Sequence, residues 1–185
     1  MELLGANSRR VLCPPIADID FELAYSHRER IRDQDTMRVQ LAGQNDIEPW
    51  MKLAQQVIPL FGPMPDFEAV VQRKMVQRQA YCVRSSSHAL FGAMLVGGTD
   101  TAFWIRWLAA SRESRRRGIG RMLVETAILK APPNAILIVD PFAEGSPGAN
   151  AAGGLYRACG FEPTETWKSD RIVRQRYMRK SASSI

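Results

Sequence analysis

The chain is poor in cysteine and histidine and has no long apolar run, and each shortage closes a class of function. Among its 185 residues are three cysteines, Cys13, Cys82 and Cys159, an odd number with no Cys-x-x-Cys pair and no metal-ligand spacing. That argues against a disulfide framework or a zinc site and leaves buried or half-buried thiols. The two histidines, His27 and His88, read as structural or exposed. No apolar stretch approaches the ~20 residues of a membrane helix. Met1-Glu-Leu-Leu-Gly5 opens no secretory signal, since Arg9-Arg10 precede only Val11-Leu12. A cytoplasmic protein that engages no membrane is expected, and the chain has neither internal repeats nor low-complexity tracts.

Two common phosphate-binding signatures are also missing. A Walker loop needs Gly-x-x-x-x-Gly-Lys and then Ser or Thr, and no such string occurs. A dinucleotide fingerprint needs a third glycine where Leu123 stands. The net charge of +6 raises nucleic acid as a partner, but the basic residues are dispersed except in Arg112 to Arg121 and Arg171 to Lys180. An anionic cofactor accounts for the first cluster and a solvated strand face for the second, so nucleic acid is a minor alternative.

What remains is the composition of one ordinary globular domain, 45% hydrophobic and 24% charged. Residues 1–36 carry no recognisable motif and read as an accessory segment, 37–180 as the main domain and 181–185 as a tail. From Met37 the pattern is regular. A strand over Met37 to Ala42 precedes a helix capped at Asn45 with Glu48 three residues on, its buried side formed by Ile47, Met51, Ala54 and Ile58. Phe61-Gly-Pro-Met-Pro65 ends that helix. Asp66 caps a second one with Phe67, Val70, Val71 and Met75 as its buried stripe. Strands follow at Ala80 to Arg84, His88 to Val96 and Thr101 to Ala110. A helix running from Gly118 to Ala131-Pro-Pro133, an apolar strand from Ala135 to Val139 and a strand around Ile172 to Met178 complete the order, the last preceded by a loop holding Trp167, Lys168 and Asp170.

The stretch with chemistry in it is Ser111-Arg-Glu-Ser-Arg-Arg-Arg-Gly-Ile-Gly-Arg121, between the strand Phe103 to Ala110 and the helix whose buried face holds Ile119, Met122, Leu123 and Ala127. Gly118 and Gly120 at the helix start expose unpaired N–H groups and the positive end of the helix dipole to an anion. Roughly thirty-five residues on, Leu155-Tyr-Arg-Ala-Cys-Gly-Phe161 closes another helix with a glycine suited to the left-handed cap.

Glycine loop, helix, strand and a helix ending Tyr-x-x-x-Gly-Phe together resemble the GNAT superfamily of acyl-CoA-dependent N-acetyltransferases. The resemblance implies a mixed α/β sheet, antiparallel in its N-terminal strands and parallel at its centre, with helices on both faces. It implies acetyl-CoA as cofactor, held by main-chain groups of Arg116, Arg117, Gly118, Ile119, Gly120 and Arg121. Arg115 takes the family's Arg or Gln position, and the acyl arm lies along Leu108, Ala109 and Ala110. Asn150 is placed either against the pantetheine amides or as a helix cap. Tyr156 is the implied general acid at the cofactor sulfur.

The general base has no clear candidate. Where some relatives carry a glutamate on the central strand, this chain has Arg106 and Trp107, which leaves Asp140 and Glu144 as loop acids to consider. The acceptor pocket is implied between Phe61 to Asp66 and Thr166 to Arg171. The expected activity is acetylation of a primary amine, on a small molecule or a peptide terminus, with a homodimer as a possible assembly. A CoA-binding sensor or partner-binding module without catalysis is the alternative.

Overall fold

A computed structural model describes residues 37–85, 87–143, 145–146, 148–169 and 172–180. The accessory segment and tail, with Cys13, His27, Glu144, Asp170 and Arg171, lie outside the described residues.

Four strands pair antiparallel in chain order: β1 (Gln40–Leu41), β2 (Ala80–Arg84), β3 (Leu90–Gly98) and β4 (Ala102–Ala110). β4 then pairs parallel with β5 (Ile136–Val139). β7 (Ile172–Lys180) lies antiparallel between β5 and β6 (Glu162–Ser169), giving the order β1-β2-β3-β4-β5-β7-β6. The sheet is mixed as expected, with β4 and β5 as the one parallel pair among the described residues. Trp167 and Lys168 belong to a strand, not a loop. That strand hides from a sequence reading because, apart from the half-buried Trp167, its residues with a described side chain are exposed, so no apolar alternation marks it. Similarly, of the expected Met37 to Ala42 strand only Gln40 and Leu41 have paired partners among the described residues, with the Ala42 N–H adding one bond to Ala80 O at 3.0 Å.

α1 (Ile47–Phe61) and α2 (Phe67–Val76) cover one face of the sheet, α3 (Ile119–Lys130) and α4 (Ala149–Ala158) the other. The start of α1 departs from expectation. A 3₁₀ turn, Gln44–Asp46, precedes it, and the Gly43 N–H donates to Asp46 Oδ2 at 2.7 Å. Asp46 is held there by Arg84, whose Nε and Nη2 donate to its two oxygens at 2.6 and 2.5 Å. Glu48 pairs with Lys52 instead. The buried stripe of α1 is Trp50, Leu53, Ala54 and Val57, while Ile58 is 42% exposed. The helix is rotated to seat the Trp50 ring, fully buried and stacked on Trp107 at 5.8 Å. Asp66 takes a left-handed conformation and makes no side-chain cap. α4 ends as its sequence implies, with Gly160 at φ 78° and the Phe161 N–H returning to Tyr156 O at 3.0 Å.

One irregularity in β4 decides where the site lies. Leu95 pairs with Trp107 but Val96 with Ile105, so Arg106 is an extra residue, a β-bulge. Because strand side chains alternate with period two, one inserted residue reverses their sense. Phe103 and Ile105 pack toward α3 and α4, whereas Trp107 and Ala109 pack toward α1 and α2.

Candidate active site

β5 stops at Val139, opposite Ile105, while β4 continues to Ala110. Beyond Ile105 that edge of β4 has no strand partner among the described residues. The Ser111 N–H donates to Phe91 O at 2.8 Å, so Ser111 faces β3. Backbone alternation turns Ala109 and Trp107 the same way and leaves the N–H and C=O groups of Leu108 and Ala110 on the vacated side.

There a cavity of about 650 Å³ opens between the strands and reaches both faces of the sheet. Val57, Leu60 and Phe61 of α1 line it from one face, Ile119, Leu155 and Tyr156 from the other. Most of the residues singled out in the sequence meet on its wall: Leu108, Ala109, Ala110, Arg115, Arg116, Gly118, Ile119, Gly120, Arg121, Asp140 and Tyr156. Arg117 and Asn150 do not. The Arg117 guanidinium lies 4.7 Å over the Phe91 ring, and Asn150 is exposed in the first turn of α4.

The loop before α3 is braced from within. Ser114 is fully buried; its hydroxyl donates to Phe91 O at 2.5 Å, and Ser111 caps the 3₁₀ turn Arg112–Ser114. Arg116 (φ 62°) and Gly118 (φ 80°) are both left-handed, which turns the chain sharply into the helix. Met122 N to Gly118 O at 3.0 Å is the first bond of α3. Among the described residues the N–H groups of Ile119, Gly120 and Arg121 therefore have no backbone partner, the usual state of a helix start.

Tyr156 is buried among Phe161 and Tyr177, with ring centroids at 5.7 and 5.9 Å. Its hydroxyl makes no hydrogen bond among the described residues. Burial, with the neighbouring Cys159 adding to it, pushes the phenol well above its usual value, so it keeps its proton at neutral and moderately alkaline pH.

A family model for the acetyltransferase (GNAT) domain matches residues 77–163, which spans the glycine loop, the cavity strands and Tyr156. Over those residues the chain matches the GNAT acetyltransferase domain. Solved structures agree on the GNAT fold. A GNAT-family acetyltransferase from Bacillus cereus superposes with a TM-score of 0.65 at 12% identity, over 78% of this chain and 96% of that one. A phosphinothricin acetyltransferase from Sinorhizobium meliloti, in complex with AcCoA, gives 0.62 at 14% identity, over 80% and 89%. An N-acetyltransferase from Staphylococcus aureus gives 0.62 at 14%, over 77% and 96%. No curated protein matches the chain.

Asp140 sits on the cavity wall with both oxygens engaged. Arg176 donates to Oδ1 from Nε at 2.9 Å and to Oδ2 from Nη2 at 3.0 Å, and Trp167 Nε1 donates to Oδ2 at 3.1 Å. Asp140 is the one acid on the wall among the described residues, against the arginines 106, 115, 116, 121 and 174. Phe61 alone of the expected acceptor loop Phe61 to Asp66 reaches the cavity, and Thr166 to Ser169 lies on β6 away from it. Phe142 and Arg174 stand there instead, stacked with the guanidinium carbon 4.9 Å over the ring. No spacing in the sequence announces that pair, because β7 reaches Phe142 only through an isolated bridge at Arg174. Among the described residues no cluster of potential metal ligands exists, and no helix is long and apolar enough to cross a membrane.

Proposed function

We propose that residues 37–180 form an acetyl-CoA-dependent N-acetyltransferase acting on a primary amine. One observation carries the reading: the cavity left where β4 outruns β5 gathers the glycine-loop cradle, the open edge of β4 and Tyr156 on a single wall. The residues present fit the cofactor. A Cβ on Gly118 would meet nothing within 4 Å, so its backbone lies open, and one on Gly120 would meet Leu155 Cδ2 at 3.1 Å. The free N–H groups of Ile119, Gly120 and Arg121 suit a diphosphate, with Arg115 and Arg116 adding positive charge at the same wall. Leu108 and Ala110 would pair an amide-bearing arm as a further strand would. Arg117 and Asn150 are proposed to help only indirectly, one by bracing the loop on Phe91, the other by sitting at the start of α4.

Bound acetyl-CoA would supply an activated acetyl group, the C–S bond breaking as the N–C bond forms, with a proton lost from nitrogen and one gained by sulfur. Tyr156 holds a proton at Oη and is the group we assign as general acid. Asp140 is better suited to positioning Arg176 and Trp167 than to taking a proton, since both its oxygens already accept. The lack of a free carboxylate on the wall among the described residues favours one second reading, a CoA-binding module without turnover. Calorimetry with acetyl-CoA and CoA, followed by thiol release across a panel of primary amines, separates the two. Binding with release supports the enzyme, binding without release the module, and no binding overturns both.

A further inference from the structure

The α1 side of the cavity has a chemistry of its own. Phe61 meets Phe142 edge-on at 5.3 Å and Trp107 at 6.0 Å, which makes a fixed aromatic wall. Two guanidinium groups are set beside it. Arg174 is stacked on Phe142, and its Nη1 donates to the Asp140 carbonyl at 3.1 Å; Arg106, on the bulge, stacks over Trp104 at 4.6 Å. A stacked guanidinium is oriented in advance and keeps edge N–H groups free for a planar anion.

The signs of charge agree. Asp140, the one carboxylate on the wall among the described residues, is spent on Arg176 and Trp167. Nothing described there is free to receive a second ammonium. Positive charge also accumulates beyond the wall: Lys74 is held below its ordinary value by burial first, then by Arg106 and Arg73.

We infer that the acceptor is a primary amine that also bears a carboxylate, as in an apolar α-amino acid, with the carboxylate taken by Arg174 and Arg106 and the apolar side chain laid on Phe61, Trp107 and Phe142. This rests on the acetyltransferase reading above. The amine nitrogen gains the acetyl group and loses a proton, and the carboxylate stays unchanged.

The test uses the full chain with acetyl-CoA and four kinds of acceptor: phenylalanine, leucine or methionine; phenylalaninamide; spermidine; and a short peptide with a free N-terminus. Free thiol reports turnover, and calorimetry reports acceptor binding in the presence of CoA. Free amino acids should exceed phenylalaninamide in kcat/KM by about 10- to 100-fold, the worth of hydrogen bonds to a charged group. Arg174→Gln should raise KM for phenylalanine by a similar factor, leave acetyl-CoA affinity unchanged and erase the preference over the amide. Arg106→Gln, at an exposed position, serves if the first variant folds poorly. Equal use of the amide, preference for spermidine or the peptide, or acetyl-CoA binding with no amino acid turned over would each overturn the acceptor assignment and leave the cofactor site standing. Failure to bind acetyl-CoA at all would instead overturn the function on which it rests.

Discussion

Asp140 and Arg176 form a two-pronged ion pair at the edge of the cavity, Nε to Oδ1 at 2.9 Å and Nη2 to Oδ2 at 3.0 Å. Arg176 also pairs with Glu165 of β6, so one guanidinium ties the end of β5 to the sheet's outermost strand. The pair makes Asp140 a support of the cavity wall.

Removing that support should show first in stability. Asp140→Ala is expected to cost about 1–3 kcal/mol, the range for hydrogen bonds to charged groups, measured by urea unfolding. Its residual turnover should keep the wild-type pH profile. A lost limb in the profile would return Asp140 to the role of base.

Tyr156→Phe should leave acetyl-CoA affinity intact and lower kcat by about 10² to 10⁴, the usual contribution of a positioned acid. Because burial raises the phenol above its ordinary value of about 10, the protonated donor persists as pH rises. Wild-type kcat should therefore show no decline assignable to this tyrosine up to about pH 10. Equal kcat for the two proteins would remove Tyr156 from the mechanism.

Gly120 faces Leu155 across the cavity wall. Gly120→Ala adds a contact at 3.1 Å to the tip of a flexible side chain, which can yield. Gly120→Val cannot be accommodated as easily, and it should weaken acetyl-CoA by about tenfold or more by calorimetry, in line with the ~1–3 kcal/mol of an overpacked site. Gly118→Ala has room but not geometry: at φ 80° a Cβ costs roughly 1–2 kcal/mol of stability.

Asp46 predicts an acid transition. Burial raises its pKa, but the hydrogen bond from Arg84, the Gly43 N–H and the Arg84 charge together outweigh this and lower it. A lowered folded pKa means its contribution is complete above the unfolded value of about 3.9 and is lost as pH falls through the lower folded one. Stability should then drop below about pH 4, and Asp46→Asn should flatten that slope while costing roughly 3 kcal/mol at neutral pH, as for breaking a buried pair. Urea unfolding from pH 7 to pH 2 checks both.

The glycine loop, the helix behind it and the Gly160 cap were legible in the sequence because each depends on backbone conformation within a few residues. Gly160 is left-handed where the pattern requires it, and of the expected α3 stripe Ile119, Leu123 and Ala127 are buried, while Met122 is half-buried and Val124 takes its place. The α1 stripe differs from the one its spacing predicts because stacking of Trp50 on Trp107 sets the helix's rotation. β6 carries no pattern in the sequence because, among the described residues, it pairs with β7 alone and most of its described side chains face water.

By itself, then, the sequence determined the local devices: an anion-ready helix start, a tyrosine one turn before a glycine cap, and the order of elements. Only the tertiary structure decided the cavity and its chemistry. The Arg106 bulge depends on how β4 registers against β3, and the opening depends on β5 ending before β4 does. Arg174 meets Phe142, and Arg176 meets Asp140, across more than thirty residues of chain. Such pairings are set by long-range register and by the competition of side chains for buried space, to which the pattern of neighbouring residues along a chain is blind.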